Sequence, residues 1–493
     1  FKVEQVPVEK EPGDAPKFAV CEDKQGNLWV HPVGGGLSWF DRENNELKPF
    51  YNEVGTDAWR FSNKLHAMML DHQGNLWLGT HSKGLDKVTF FKNEFQLIKP
   101  QNCKYDTNAN QVRSLCQDSR KQLWIGTRNS KVSVYSLDFQ LQGYLTVDGR
   151  ISLTGTPFRG SAYKIIEDSK KNIWIATKGN GIVQLIPQGS GYKMLHYTYD
   201  ANDIYSLSHN NVYDLCEDSY GRIWVVTFGG GIDYIEKESD GSVRFINSRN
   251  NLKSYPMERC YKARRMLLDK KGMLWVATSN GLLAFSEKFE RPDTIDFHLF
   301  VCMPNKREVL SCNDIYDILL THDGRLFFAT FGGGLNELKS LDKNGNGLFT
   351  SYSAKDGLPT DVLSSLAEDT KGDIWIGSES GLSKMDIVNH HFDNYLKQEI
   401  GEELSFEEST AIRAEDGRLL FGTNRGLLCF TPELIRKNSY VPGIVLSGLK
   451  IANKDVVPRP ESVLPESLNS LSHLYLSHKE NTVTLSFAAL DMR

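Results

Sequence analysis

Aromatic rings and cations recur through this sequence at comparable points of a long repeat, and they are the side chains best suited to chemistry. Nine stand out: Arg128, Tyr163, Lys178, Tyr213, Phe228, Arg265, Tyr316, Phe331 and Arg425. Flat aromatic faces cover apolar C–H patches, while guanidinium and ammonium groups bond hydroxyls or a carboxylate. That mixture suits recognition of a sugar better than bond cleavage. The same loops also carry Arg113, Lys164, Asp214, Arg264 and Asp317, and basic residues outnumber acids among them. The excess favours an acidic or sulfated saccharide over a neutral one.

Motifs for catalysis are missing. The sequence contains no HExxH, no GxSxG, no GxxxxGK followed by Ser or Thr, and no complete dinucleotide fingerprint. The expectation is a chain with no catalytic residues, no cofactor and no metal, so not an enzyme. Asp342-Lys-Asn-Gly-Asn-Gly347 opens like a calcium loop, but its twelfth position is Ser353 where a bidentate Glu is needed, so it reads as a turn between strands. His390-His391 has no metal-ligand spacing to another His or Cys and reads as surface.

The elements that must position these side chains are strands. Around Trp224 the chain reads NNVYDLCEDSYGRIWVVTFGGGI from Asn210 to Ile232: an apolar run, a turn opened by Asp218 and closed by Gly221, a second run, then glycines. Asp at the first turn position accepts backbone N–H groups, and Gly at the fourth supplies backbone freedom, so the two runs form a hairpin. The unit occurs nine times, with Trp29, Trp77, Trp124, Trp174, Trp224, Trp275, Phe327, Trp375 and Leu420 in one position at spacings of 45 to 52 residues. Asp71/Gly74, Asp218/Gly221, Asp269/Gly272 and Asp369/Gly372 repeat in the same register. A period of this length with about four strands is the mark of a β-propeller blade, and the tryptophans then pack between blades.

Seven repeats, centred on Trp124 to Leu420, suffice to close a ring, and two precede them. The fold expected is therefore all-β: a seven-bladed β-propeller at 93–435, the last two blades of an upstream propeller at 1–92, and the truncated start of a β-sandwich at 440–493. Fourth strands are expected at Val243–Ile246, Thr294–His298 and Phe349–Tyr352. The last repeat meets Thr431-Pro432 with no fourth strand following. Residues Glu94–Ile98 either fill that gap and close the ring or belong to the second repeat. Propeller geometry brings the loop before the first strand and the loop after the second to one face near the axis, where the nine residues converge.

Bulk properties exclude some partners. Net charge is only −5 with 24% charged residues, so no global field recruits nucleic acid or an anionic membrane. Of eight cysteines, Cys21, Cys116 and Cys216 occupy one repeat position and read as small buried hydrophobes; no CxxC pair exists. No run of 18 apolar residues occurs. Residues 1–18 read as a loose lead-in, and the abrupt apolar end suggests a fragment.

The repeats quoted from Glu22-Asp23, Glu167-Asp168, Glu217-Asp218 and Glu368-Asp369 onward share Glu-Asp and, five residues after the Asp, an aliphatic residue and Trp; three of them carry Gly three residues after the Asp, where the second has Lys171. They resemble the regulator-propeller repeats of Bacteroidetes hybrid two-component sensors. The stretch from Tyr440 through Lys454 to Phe487-Ala-Ala-Leu-Asp491 resembles the start of the triple-tyrosine sandwich that follows those propellers. The resemblance implies a periplasmic sensor region whose membrane helix and histidine kinase lie outside this sequence. It implies recognition of an oligosaccharide, control of polysaccharide-utilisation genes, and compatibility with a homodimer. The competing expectation is a protein-binding scaffold with no small-molecule ligand, which would show a flat aromatic patch instead of a polar funnel.

Overall fold

The computed structural model describes residues 18–490 except 24–25, 33–35, 43, 51–64, 72–73, 82–83, 89–93, 101–106, 130, 239–240, 304, 343–344, 436–442 and 461. The expected lead-in before Phe18, together with Cys103, Tyr440 and Asp491, lies outside the described residues. The chain divides into two compact units, Asn93–Ile435 and Phe1–Lys92 with Arg436–Arg493.

The larger unit is a β-propeller of antiparallel sheets, numbered I to VII here. Their first strands are Val112–Gln117, Ala162–Glu167, Val212–Glu217, Ala263–Leu268, Ile315–Leu320, Leu363–Glu368 and Phe406–Arg413. Each first strand neighbours the next, and Phe406–Arg413 returns to Val112–Gln117, so the strands form a closed circuit. Sheet VII takes its outer strand from the other end of the unit: Gln96–Ile98 pairs with Leu427, Leu428 and Cys429. Of the two sequence alternatives for this segment, the structure takes the one that joins the chain ends. Non-local closure of this kind hides the edges that open sheets would expose.

Each hairpin turn does more than the sequence reading expected. In sheet III, Asp218 Oδ1 accepts the backbone N–H of Tyr220 and Arg222, both at 3.0 Å, and Oδ2 accepts Trp224 Nε1–H at 2.8 Å. The same carboxylate-to-indole bond joins Asp118 to Trp124, Asp168 to Trp174, Asp269 to Trp275 and Asp369 to Trp375. Where the tryptophan is replaced, the aspartate goes too: Thr321 accompanies Phe327, and Ala414 accompanies Leu420. A buried carboxylate without its donor is costly, so turn and ring change together. Where a glutamate precedes the aspartate it reaches back one sheet: Glu167 accepts from Ser119 N and Oγ, Glu217 from Ser169 N and Oγ, and Glu368 from His322 N.

The tryptophans fill the spaces between neighbouring sheets. Trp124 packs with Ile165, Ile175 and Ala162 of sheet II, and Trp224 with Met266, Leu274 and Val276 of sheet IV. Fourth strands lie at Val243–Ile246 and Gly347–Tyr352, overlapping the expected positions. In sheet IV the strand is His298–Phe300, later than expected, because Pro292–Thr294 first forms a 3-10 turn. Proline at the start fixes φ and favours that turn.

In the smaller unit, Phe18–Glu22, Leu28–Pro32, Leu37–Asp41 and Glu46–Phe50 form one four-stranded sheet, and Leu65–Leu70, Leu76–Thr80 and Leu85–Val88 form a three-stranded one. Trp29, Leu37, Leu65, Leu76 and Leu78 share a core. Pro32 ends an interior strand, and pairing with Leu37–Asp41 stops at Val30, which removes the need for its missing N–H. A further sheet has Gly443–Ile451 between Lys454–Val456 and Val483–Leu490. Cys21, Cys116 and Cys216 are half-buried free thiols.

Candidate functional site at the propeller mouth

The site is set by an irregularity repeated in every sheet. Pairing between first and second strands skips one residue at the same place in sheets I to VI: Arg113, Tyr163, Tyr213, Arg264, Tyr316 and Ser364. A bulge breaks the two-residue alternation and re-aims the side chain. In sheet VII the gap holds four residues, Glu407, Glu408, Ser409 and Thr410. The result is two successive layers of inward groups.

The residues just after the bulges make the buried layer. Lys164 Nζ lies 3.6 Å from Asp214 Oδ1, Arg265 Nη1 lies 3.4 Å from the same oxygen, and Arg265 Nε lies 3.2 Å from Asp317 Oδ1. Asp214 also accepts Met266 N–H, and Asp317 accepts Leu366 N–H. Burial pulls the Lys164 ammonium below its ordinary range and pushes the Asp317 carboxyl up. Two cations thus face two carboxylates, and Arg265 is committed to structure.

The bulge residues make the outer layer. Arg113 Nη1 bonds Glu407, and its Nη2 lies 3.8 Å from Glu408 Oε2. Arg264 Nε bonds Asp314 Oδ1 at 3.1 Å, while Nη1 reaches Glu408 Oε2 at 3.3 Å. Burial keeps the Asp314 carboxyl above its usual range although Arg264 draws it down. Ser409, at φ +51°, donates from Oγ to Tyr316 O at 2.5 Å, and Thr410 Oγ1 donates to Arg113 O at 3.0 Å. The long bulge of sheet VII therefore reaches both sheet I and sheet V.

Around these ion pairs runs an arc of rings. Tyr163 and Tyr213 centroids are 4.7 Å apart, and Tyr213 stacks on Phe228 at 4.9 Å and 17°. Tyr316 stacks on Phe331 at 5.3 Å and 28°. Arg264 joins the two groups, its Cζ 5.1 Å from Phe228 and 4.5 Å from Tyr316, and Arg113 lies 4.3 Å over Tyr163. Burial pushes the Tyr213 and Tyr316 phenols up to about 12, so both remain hydrogen-bond donors at neutral pH.

Of the nine sequence-selected residues, the structure brings together Tyr163, Lys178, Tyr213, Phe228, Tyr316 and Phe331; Lys178 Nζ stands 5.7 Å from Tyr163. Arg265 sits in the buried layer. Arg128 bonds Gln111 and Arg425 reaches Glu402, without a ring contact to the arc. Asp214 and Asp317 are among the loop residues named from the sequence, but Glu407 and Glu408, the acids facing Arg113 and Arg264, are not. One signal was present. Twelve residues before the marker position stand Val112, Ala162, Val212, Ala263, Ile315 and Leu363, all apolar, whereas the residue twelve before Leu420 is Glu408.

The calcium-like loop behaves as a turn, with Asp342 Oδ1 accepting Asn346 N–H at 2.8 Å. His390 packs at 5.3 Å from Tyr352, and His391 Nε2 lies 3.3 Å from Asp393.

The family model described as two component regulator propeller matches residues 61–82, 107–129, 206–229 and 357–380. A curated relative, histidine kinase P4 of Formosa agariphila, is 22% identical over 457 residues. That match takes in 92% of this chain and 28% of the relative, so the chain spans less than a third of that protein. Among solved structures, the extracellular domain assigned to a one-component system of B. thetaiotaomicron is similar at TM-score 0.53 and 19% identity, covering 95% of this chain and 60% of that one. A virginiamycin B lyase from Staphylococcus aureus aligns at TM-score 0.48 and 15% identity over 68% of this chain and 97% of the other. Likeness at these identities concerns the fold. Four segments of the chain are thus similar to the repeat of the two component regulator propeller family.

Proposed function

We propose that the chain is the periplasmic, ligand-sensing portion of a hybrid histidine kinase/response regulator that recognises an oligosaccharide and controls polysaccharide-utilisation genes. In this reading 93–435 is a seven-bladed propeller, 1–92 the end of an upstream one and 440–493 the start of a sandwich. The regulator repeats and the similarity to a histidine kinase and to an extracellular domain support the signalling part.

The observation that carries the saccharide part is the arc Tyr163–Tyr213–Phe228, continued through Arg264 to Tyr316–Phe331 on one face. Rings edged by guanidinium, phenol and carboxylate groups offer both a stacking floor and hydroxyl partners. A sensor must bind its ligand better in one conformational state than in the other, and a site assembled from several sheets is able to report such a change. Isothermal titration calorimetry of the whole 493-residue chain against neutral, carboxylated and sulfated oligosaccharides tests it. Saturable binding of at least one, lost in Tyr213→Ala, is expected; heat of dilution alone across the panel overturns the reading.

A further inference from the structure

Arg113, Lys164, Arg264 and Arg265 each face a carboxylate. Arg249 does not. Its Nη1 donates to Ser206 Oγ at 3.3 Å, its Nη2 to Asp200 O at 3.1 Å and to Ala201 O at 3.4 Å, and its guanidinium lies 4.9 Å from the Tyr199 ring centroid. Every acceptor is neutral, and no carboxylate pairs with it among the described residues. Carbonyl and hydroxyl oxygens fix the guanidinium in place, and the buried Asp233 carboxyl acts on it only from beyond ion-pair distance.

Arg249 lines a cavity of about 570 Å3, whose wall also includes Tyr199, His209, Gly229, Gly230 and Met257. The volume is that of a small-molecule site. Gly229 and Gly230 directly follow Phe228, so the cavity opens beside the aromatic arc. A Cβ on Gly229 would lie 2.8 Å from the His209 ring, and one on Gly230 2.4 Å from Ser208 Oγ; glycine keeps this wall close-packed. His209 Nδ1 accepts Asn211 N–H at 3.0 Å, which puts the ring proton on Nε2 and makes that atom a donor beside Gly229. Burial pulls the imidazole below its ordinary range. Asp233 does not line the cavity: it is buried behind Ser208, which donates to it from both N and Oγ. Lys178 and Lys262, at either end of the Tyr163–Tyr213–Phe228 run, add positive potential nearby.

We infer that this cavity takes the negatively charged substituent, carboxylate or sulfate, of a saccharide whose rings lie on the Tyr213–Phe228 stack. Arg249 supplies the charge-assisted bonds and His209 Nε2–H a neutral one. The assignment rests on the saccharide reading above and places the acidic specificity outside the axial ion pairs.

The test is calorimetry on the whole chain with three oligosaccharides of one backbone: neutral, carboxylated and sulfated. The charged forms are expected to bind about tenfold or more tighter than the neutral one. Arg249→Gln is expected to remove that advantage while neutral binding stays within about twofold, and Arg249→Lys to restore part of it. Met257→Trp, which fills the cavity without changing charge, is expected to produce the same selective loss and serves if Arg249→Gln does not fold. The carboxylated and sulfated arms identify which anion is preferred. Equal binding of neutral and charged forms, or a charged preference that survives both variants, overturns the assignment. Absence of binding by all three instead overturns the saccharide reading on which it depends.

Discussion

Sheets III and V are spelled almost alike, and the cavity at Arg249 lies against sheet III. Ser208-His-Asn-Asn-Val-Tyr-Asp214 and Thr227-Phe-Gly-Gly-Gly-Ile-Asp233 correspond to Ser311-Cys-Asn-Asp-Ile-Tyr-Asp317 and Thr330-Phe-Gly-Gly-Gly-Leu-Asn336. Both segments build the same ring stack and the same turn: Gly230 N–H bonds Thr227 Oγ1 and Gly333 N–H bonds Thr330 Oγ1, each at 3.1 Å. The serine before each strand is held by the second residue after the glycines, Ser208 by Asp233 and Ser311 by Asn336. What differs is the connection to the next sheet. After sheet III, residues 247–262 bring Arg249, Tyr255 and Met257 over the glycines. After sheet V, a shorter connection is tied down by a capping box between Ser353 and Asp356 and by Ala354 N–H on Asp361. A local motif sets the turn and the stack, while the following connection supplies Arg249 and Met257 to the wall of the cavity beside sheet III.

The largest expected difference between the two sheets lies under the turns. Trp224 is fully buried and bonds Asp218, whereas Phe327 is equally buried with no such bond to Thr321. Trp224→Ala is expected to cost ~3–5 kcal/mol, because it leaves both a cavity and a carboxylate short of one donor. Phe327→Ala should fall at or below the lower end of that range. Denaturant unfolding of the whole chain, followed by hydrogen exchange in each sheet, checks the order; a larger loss for Phe327→Ala would break the comparison.

A pH effect of similar or smaller size separates Asp233 from Asn336. Burial pushes the Asp233 carboxyl up to about 7 from an ordinary 3.8, against the pull of Ser208, Asn247 and the Arg249 charge. The folded chain therefore holds this proton more tightly than the unfolded one. The stabilising contribution is complete below about pH 4 and is lost as pH rises through about 7. At pH 8, Asp233→Asn is expected to stabilise the chain by at most ~4 kcal/mol, with little difference near pH 4. Asn336→Asp should import the same pH dependence into sheet V. Thermal melts between pH 4 and pH 8 measure both, and a flat profile for wild type would contradict the buried-acid description.

Much of this was readable one repeat at a time. The Asp-to-Gly turns, the tryptophan positions and the rings of the arc follow from local pattern, because turn chemistry and alternation act over a few residues. Arg265 was read as a ligand contact because a bulge before it, invisible in composition, shifts which side chains reach the outer layer. Glu408 was missed because its partners, Arg113 and Arg264, come from distant sheets, although its place in an otherwise apolar position was a clue. The cavity at Arg249 depends on residues 247–262, which follow no repeat and so offered no pattern to read. Closure by Gln96–Ile98 stayed undecided in the sequence for the same reason: its partner lies at Leu427–Cys429.

The most direct test is hydrogen–deuterium exchange of the whole chain with and without a saturating bound oligosaccharide. Binding at the proposed site should slow exchange at 208–213 and 227–231 in sheet III, with a weaker effect at the matching 330–334 in sheet V. Slowing confined to sheets VI and VII, or to the smaller unit, would contradict recognition at this face.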